Sequence, residues 1–460
     1  MQDTADIEAF ADIKRFIERW LADRAFRAAY PGEPKRVGEA HGLKVDPETV
    51  RVVWDQGGEG HADPSPLMRR YWAFVDDLVV RRHELAEAAA PADPRFAAWR
   101  QRQIHRLHLE VGVSLYPNPH IPASFELSRG CSVGCWFCSA SPPSLSDTFL
   151  YTPQNARLWR GLLEALRDIA GPEASARSIC YSGTDPLDNP DYERFADDFA
   201  TLHDGGPFTS TALAVRDPER TRRLMARFGA GNMRFSVLSL AMLNKIHAAF
   251  TPEELLPVSI NFRNEGSIEA KLLTFAGRAR ERAKTYRKYR PGDPVINTPS
   301  CETGFKFNLP DRVIRLSSPC APDDRWPEGN RVYDEARFDD ADDARRIMEQ
   351  MIARHMPLAP PDDFVAAFQR PLRFEATVNG FALVGPHLTQ RFENTPQKPF
   401  LGRLGEAISE GRRTVRDLTE LVAREAGAPH EAVLASLNEF FRLGLLDDEP
   451  AVAAPVAEMA

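Results

Sequence analysis

The sequence predicts an α/β protein with helical material at its start and a smaller mixed module at its end, on three observations. Between about residues 122 and 285, short β-rich runs alternate with amphipathic helical ones, the rhythm of βα units around a parallel sheet. Before residue 110, apolar residues recur at helical spacing. Beyond residue 300, that rhythm gives way to two hairpin signals and three short helices. A chain of 460 residues exceeds one typical domain. Four divisions follow: 1–110 helical, 111–290 the βα region, 291–365 a capping and substrate segment, and 366–460 a hairpin with a winged-helix-like end.

Ile13, Phe16, Ile17, Trp20 and Leu21 form one face of a first helix in a small helical unit at residues 5–55, whose first half ends at Pro31-Gly32. Asp46-Pro47-Glu48 has the cap, the proline and the acidic first turn of a helix running through Val50, Val53 and Trp54. Helices are expected at about 66–90 and 94–109. Strands are then expected at Ser124–Leu127, Ser178–Ser182, Thr209–Val215, Met233–Leu240 and Val258–Phe262. The helices between and after them fall near 154–169, 191–202, 217–228, 241–249 and 268–284. The stretch 303–317 reads as a hairpin across Pro310-Asp311, and a helix follows near 339–355. A second hairpin turns at Asn379-Gly380, and Thr414 caps one of three helices within 399–446.

A net charge of -8 supplies no global basic field for nucleic acid. No uncharged apolar run approaches the ~18 residues of a membrane span, and the first residues lack a signal-peptide pattern. A cytoplasmic protein without membrane or nucleic-acid partners is expected. Six cysteines are too few for a disulfide scaffold, and three of them crowd into eight positions.

Those three, Cys131, Cys135 and Cys138, stand at C-x3-C-x2-C spacing in a loop after the first expected strand. Ligand sites of parallel sheets gather at the carboxyl ends of the strands. Three thiolates on one short loop can hold three irons of a 4Fe–4S cubane and leave the fourth open to a chelating ligand. The alternative is a zinc site, which normally wants four protein ligands and a second C-x2-C pair; the chain has no such pair.

With Phe137 before the last cysteine, this motif resembles that of the radical S-adenosylmethionine (SAM) superfamily. The resemblance implies a partial (β/α)6 barrel, a 4Fe–4S cluster on Cys131, Cys135 and Cys138, and SAM chelating the open iron. It also implies a turn on the SAM amino group after the next strand. Tyr181-Ser182-Gly183-Thr184-Asp185-Pro186 stands there, keeping a glycine, an acid and a proline. The same family relation places Phe137, Gly183, Thr184 and Asp185, with Ser236 and Asn261 on later strands, at the cofactor.

The remaining Cys180, Cys301 and Cys320 cannot complete an all-cysteine auxiliary cluster, so one cluster is expected. Four blocks resemble the radical SAM peptide epimerases that mature ribosomally made proteusin-type peptides: FIERWLADRAFRAAY…HGLKVDPETVRVVWD, LSRGCSVGCWFC, YSGTDPLDNPDY and CETGFKFNLPDRVIRLSSPCAPDDRWPEG. The resemblance implies an isomerase that converts L- to D-residues in a precursor peptide. Hα is removed, and a thiol outside the cluster returns hydrogen from the opposite face. Cys320, held between Pro319 and Ala321-Pro322, is the first choice for that donor and Cys301 the reserve. Cys180, in an apolar strand, reads as core.

Residues near the C-terminus resemble the peptide-chaperone domain of pyrroloquinoline quinone biosynthesis, which implies a strand-adding grip on a leader peptide. The N-terminal block resembles the leader of nitrile-hydratase-like precursors. An electron donor such as flavodoxin or ferredoxin is the other implied partner. The alternatives are another radical SAM peptide modification (crosslinking, desaturation or excision) or a non-catalytic, metal-stabilised peptide-binding protein.

Overall fold

The computed structural model describes residues 4–55, 63–88, 90–112, 119–269, 276–286 and 300–450. It is a mixed α/β structure with several sheets. The expected connection at Pro291–Pro299 lies outside the described residues, as does part of the expected helix at 268–284.

Among the described residues, five helices open the chain: α1 (Thr4–Ala22), α2 (Arg24–Ala29), α3 (Pro34–Ala40), α4 (Arg51–Trp54) and α5 (Pro66–Ala88). Ile13, Phe16 and Trp20 are buried on one face of α1, and Phe16 packs 5.0 Å from the Tyr30 ring. The expected helix from Asp46 does not start there. The Asp46 side chain accepts from Glu48 N and its carbonyl from Thr49 N, so residues 46–50 form turns and α4 begins only at Arg51. Further along, α6 (Pro94–Val111) starts on an Asp93 cap with Pro94 in first position and ends at Gly112.

The central region then runs through β1 (Ile121–Glu126), β2 (Ser128–Arg129), β3 (Asp147–Thr148), α7 (Pro153–Ala170), α8 (Pro172–Ser175), α9 (Tyr192–His203) and β4 (Thr209–Thr211). It continues with α10 (Pro218–Phe228), β5 (Met233–Val237), α11 (Leu240–Ala249), α12 (Pro252–Leu255), β6 (Ser259–Phe262) and α13 (Gly277–Tyr286). Strands β4, β5 and β6 pair in parallel in chain order. The expected strand Ser178–Ser182 shrinks to one bridging residue. Ile179 pairs with Ser124 on one side and Phe208 on the other, linking β1 to the β4 side. It stops there because Gly183 N turns to the Glu126 carboxylate, 2.7 Å away. The strand from Thr209 ends at Thr211, not Val215, because Ala212 N bonds Asp185. That from Met233 ends at Val237, since Ser239 caps α11.

Beyond these come β7 (Glu302–Asn308), β8 (Val313–Pro319), β9 (Asn330–Arg337) and α14 (Ala341–His355). The β7–β8 hairpin is as expected, and β9 adds to it; β7 also pairs in parallel with β1, giving the order β1-β7-β8-β9. Phe125, Phe305 and Phe307 meet the helices on the apolar side, where Phe125 lies 4.9 Å from Trp159 of α7. Burying such side chains stabilises by about 2 kcal/mol each.

The C-terminal part comprises β10 (Val365–Ala366), β11 (Arg373–Thr377), β12 (Gly380–Val384), β13 (Thr389–Glu393), α15 (Leu401–Ser409), β14 (Arg413–Thr414), α16 (Val415–Ala426) and α17 (His430–Arg442). Thr414 does cap α16, in a reciprocal capping box with Asp417. The hairpin turn sits one residue earlier than expected: Thr377 pairs with Gly380, so Val378 and Asn379 make the turn. A third strand, β13, completes that sheet.

Among the described residues, three apolar cores are distinct. One gathers α1, α2 and α5 residues around Phe16; the largest lies between the central strands and their helices; the third joins Phe381 and Phe440. Helix α6 contributes to two of them, with Phe96 and Trp99 in the central core and Leu109 in the C-terminal one. The first core is fastened to the central region by backbone acceptors: Arg15 donates to the carbonyls of His247 (3.0 Å) and Phe250 (2.9 Å). The C-terminal segment is fastened by charge. Arg102 pairs with Asp448, and Arg106 with Glu110, Asp447 and Asp448.

Candidate functional site

Alternation along the central strands separates two faces. In β5, Met233, Phe235 and Val237 are buried, whereas Arg234 and Ser236 between them are half-buried. Residues paired across a sheet point to the same side. Arg234 pairs with Ser210 and Ser259, Ser236 with Asn261, Ser124 with Lys306 and Glu126 with Asn308. One face is therefore apolar and packed on helices, and the other carries serines, asparagines, two cations and an acid.

That polar face bounds a cavity of about 610 Å³, part of it open solvent. Tyr181, Arg234, Cys301, Glu302 and Lys306 line it, together with Glu328, Asn330, Ser139 and Ala140. Arg234 Nε donates to Ser210 Oγ (2.9 Å) and Nη2 to Tyr181 Oη (3.3 Å). Burial pushes the Tyr181 phenol up to about 12. Lys306 Nζ lies 2.9 Å from Glu126 Oε1; burial opposes its charge, but Glu126 and Glu302 outweigh this and hold its pKa above the ordinary lysine value. Ser182 Oγ donates to Glu302 Oε1 at 2.8 Å.

Ser139 and Ala140 belong to the cysteine loop, which leaves the carboxyl end of β1 and so overhangs this cavity. The loop is pinned at both ends. The short β2 and β3 pair, and Cys131 N bonds Pro143 O at 3.0 Å. Gly130, with φ +81°, lies so close to Ser144 that a Cβ would meet its carbonyl oxygen at 2.4 Å. Ser132 N and Oγ bond Asp188 at 2.9 and 2.6 Å. On the far side, Arg278 N donates to Cys138 O (3.0 Å), and Gly277 sits where a Cβ would meet Ser139 O at 2.2 Å.

Cys131, Cys135 and Cys138 are all free and half-buried. Burial pushes the Cys135 thiol up to about 12, and the neighbouring Cys138 and Cys131 add to the rise. Burial also raises Cys131. The three sulfurs are thus close enough to resist ionising together. Among the described residues, no group of three or more His, Cys, Asp or Glu side chains closes as ligands of one metal ion do. Among the described residues, the donor set is three thiols with no fourth protein ligand grouped with them. Three thiols are the number of donors that a cluster held at three corners would use, whereas a mononuclear zinc site would want a fourth ligand.

The other expected residues divide. Ser236 and Asn261 share the polar face with Arg234. Gly183 lies beside Ala140 and is bonded to Glu126. Phe137 packs edge-on to Trp136 at 5.5 Å. Thr184 is half-buried in the turn. Asp185 does not offer itself to a ligand: its two oxygens accept from Leu187 N (3.0 Å), Thr211 Oγ1 (2.7 Å) and Ala212 N (2.7 Å). Burial, partly offset by those bonds, raises its carboxyl to about 6. Cys320 is completely buried, with its thiol pKa raised by burial next to Arg331 and Glu110, and does not line the cavity. Cys301 does. Cys320 does follow β8 in a loop, as expected, but that loop buries it away from the cavity. Cys180 is core, as expected.

Sequence reasoning missed Glu126, Tyr181, Arg234, Glu302 and Lys306. A charged residue flanked by buried apolar ones within a strand, as in FEL, RFSV and FKFN, was the available signal.

No family model and no solved structure matches the chain. It is 33% identical over 453 residues to "Uncharacterized protein y4wI" of Sinorhizobium fredii, covering 95% of this chain and 87% of the relative. The chain belongs to the family of that protein.

Proposed function

We propose that this chain is a radical SAM enzyme that epimerises residues of a ribosomally made precursor peptide, with a partial barrel formed by the central βα units. The observation that supports the reading is the C-x3-C-x2-C loop of three half-buried thiols, whose next residues, Ser139 and Ala140, line the polar cavity together with Cys301. Cys131, Cys135 and Cys138 would hold a 4Fe–4S cluster. When bound, that cluster would supply the electron that cleaves SAM to methionine and a 5′-deoxyadenosyl radical.

The chain's own contribution is positional. Asp188 and Arg278 fix the loop, while Arg234 lines the cavity and Ser236 and Asn261 lie on the same face of the sheet. Cys301 is the hydrogen donor in this reading. Burial raises its pKa, so it remains S–H at neutral pH, as hydrogen-atom transfer requires. Once Hα has gone, the Cys301 S–H bond breaks and a Cα–H bond forms on the opposite face. The thiyl radical left behind needs one electron, from a carrier such as flavodoxin or ferredoxin, and one proton from solvent to become S–H again. The C-terminal sheet and helices would take the leader peptide by strand addition.

The test is anaerobic reconstitution followed by iron analysis and turnover with a precursor peptide in deuterium oxide. The reading expects about four irons per chain, 5′-deoxyadenosine, and one deuteron at each inverted α-carbon with no other mass change. A different mass change would indicate crosslinking, desaturation or excision; zinc alone, without SAM cleavage, would leave a non-catalytic peptide-binding protein. Cys301→Ala should retain SAM cleavage and lose inversion, whereas Cys320→Ala should retain both.

A further inference from the structure

The N–H groups in the first turn of a helix have no partner within it and must find acceptors outside. At the start of α13, two consecutive ones find them on two different segments. Gly277 N donates to Pro327 O (2.8 Å), and Arg278 N donates to Cys138 O (3.0 Å). Both bonds join backbone to backbone, and at Gly277 a Cβ would meet Ser139 O at 2.2 Å and Cys138 O at 2.7 Å. The cysteine loop is therefore clasped, through α13, to the turn that carries Pro327. No side chain stands between them whose rotation could absorb a movement of that turn.

That turn, Asp323–Gly329, is braced within itself. Asp323 Oδ1 accepts from Arg325 N (2.9 Å) and Trp326 N (2.6 Å), and Trp326 O accepts from Gly329 N (2.8 Å). Its end runs into the cavity wall, which Glu328 and Asn330 line. Residues 447–450 hold it from another side. Glu449 accepts from the Trp326 indole N–H and pairs with Arg325 at 3.1 Å, while Pro450 O accepts from Arg325. Trp326 and the Glu449 side chain are buried, so water does not loosen these bonds. Just before them, Asp448 is anchored on Arg102 and Arg106 of α6, and Asp447 on Arg106 and Ala367 O. A braced turn held on two sides passes a displacement on, because close-packed protein is hardly compressible.

We infer that residues 447–450 are a strap. Seated on α6 and on the Trp326 turn, it holds the cysteine loop closed through α13; when it lifts, the loop loosens while the central core stays folded. The state of the C-terminal part is thereby felt at Cys131, Cys135 and Cys138. This inference goes beyond the proposed activity and does not depend on what the loop holds.

The test uses the full-length chain without metal, each cysteine being labelled by a pulse of iodoacetamide and its rate read by mass spectrometry of the peptides. Glu449→Ala and Trp326→Phe remove one hydrogen bond from its two ends. In both, Cys131, Cys135 and Cys138 should react faster by roughly 2- to 30-fold, the span of couplings carried through packed contacts. Cys180, in the central core, should keep its wild-type rate, which separates release of the strap from unfolding. Lys398→Ala, which cuts the pair with Glu439 elsewhere in the C-terminal part, should leave every rate unchanged. Three results would each overturn the strap: loop rates within about twofold of wild type in both variants, a matching rise at Cys180, or an equal rise in Lys398→Ala.

Discussion

Replacing Asp185 with alanine removes one carboxylate that joins two strand ends. Its Oδ1 caps the short turn Pro186–Asp188 through Leu187 N and accepts from Thr211 Oγ1, while Oδ2 accepts from Ala212 N. The residue is 6% exposed, and Leu187 and Ala212 are buried with it. Each orphaned buried N–H costs about 1–3 kcal/mol, whereas the Thr211 hydroxyl can rotate to another acceptor. The loss for Asp185→Ala is then about 3–5 kcal/mol, a large share of the ~5–15 kcal/mol that holds a typical domain. Asp185→Asn keeps Oδ1 for two donors but turns an amide N–H toward Ala212 N, and should cost about half as much. Urea denaturation reads both, as a fall in the midpoint with an unchanged slope. If Asp185→Ala shifts stability by less than about 1 kcal/mol, the carboxylate is not the tie between the strand ends. A role for it at a bound cofactor would then return.

Gly130→Ala should distort the cysteine loop, because φ +81° and the contact with Ser144 O both exclude a Cβ; iron uptake during reconstitution should fall severalfold while far-ultraviolet dichroism is retained. Gly277→Ala should act in the same direction from the α13 side, since its Cβ would displace Ser139 and Cys138 carbonyls. His120, 4% exposed, has its pKa lowered to about 3, by burial first and then by Arg100. The folded chain resists protonating it while the unfolded chain accepts the proton near pH 6.5, so its contribution to stability is complete above pH 6.5 and declines as pH falls toward 3. At pH 5, about 1.5 units at ~1.4 kcal/mol each gives a loss of about 2 kcal/mol, and His120→Gln should flatten that part of a stability–pH profile. Phe381→Ala, in the C-terminal core 4.8 Å from Phe392, should cost about 3–5 kcal/mol in the same denaturation assay.

Most helices were legible because their ends are written locally. Asp93-Pro94, Thr152-Pro153, Asp217-Pro218 and Thr414 each place a capping side chain where the structure uses it. Strand lengths were not legible, because they end where a distant group intercepts the backbone. Glu126 does this at Gly183, and Asp185 at Ala212. The signal at Asn379-Gly380 misplaced the turn by one residue, since pairing with β13 on the other edge of β12 fixes Gly380 within the strand. The three clustered cysteines were found from spacing alone. The donor cysteine was ranked by the stiffness of its flanking prolines, which cannot tell a rigid loop facing a cavity from one facing a core. Depth separates Cys301 from Cys320, and depth is a property of the assembled chain.

The ion pairs between α6 and Asp447–Asp448 carry a consequence for synthesis. Arg102 finds Asp448 only after 346 further residues have been made. Until then its guanidinium stands beside apolar neighbours with no counter-charge from that acid. A nascent chain stalled before Asp447 should therefore hold its middle portion loosely, however complete its strands are. Chaperone engagement and protease sensitivity should persist until that acidic pair clears the ribosome exit tunnel.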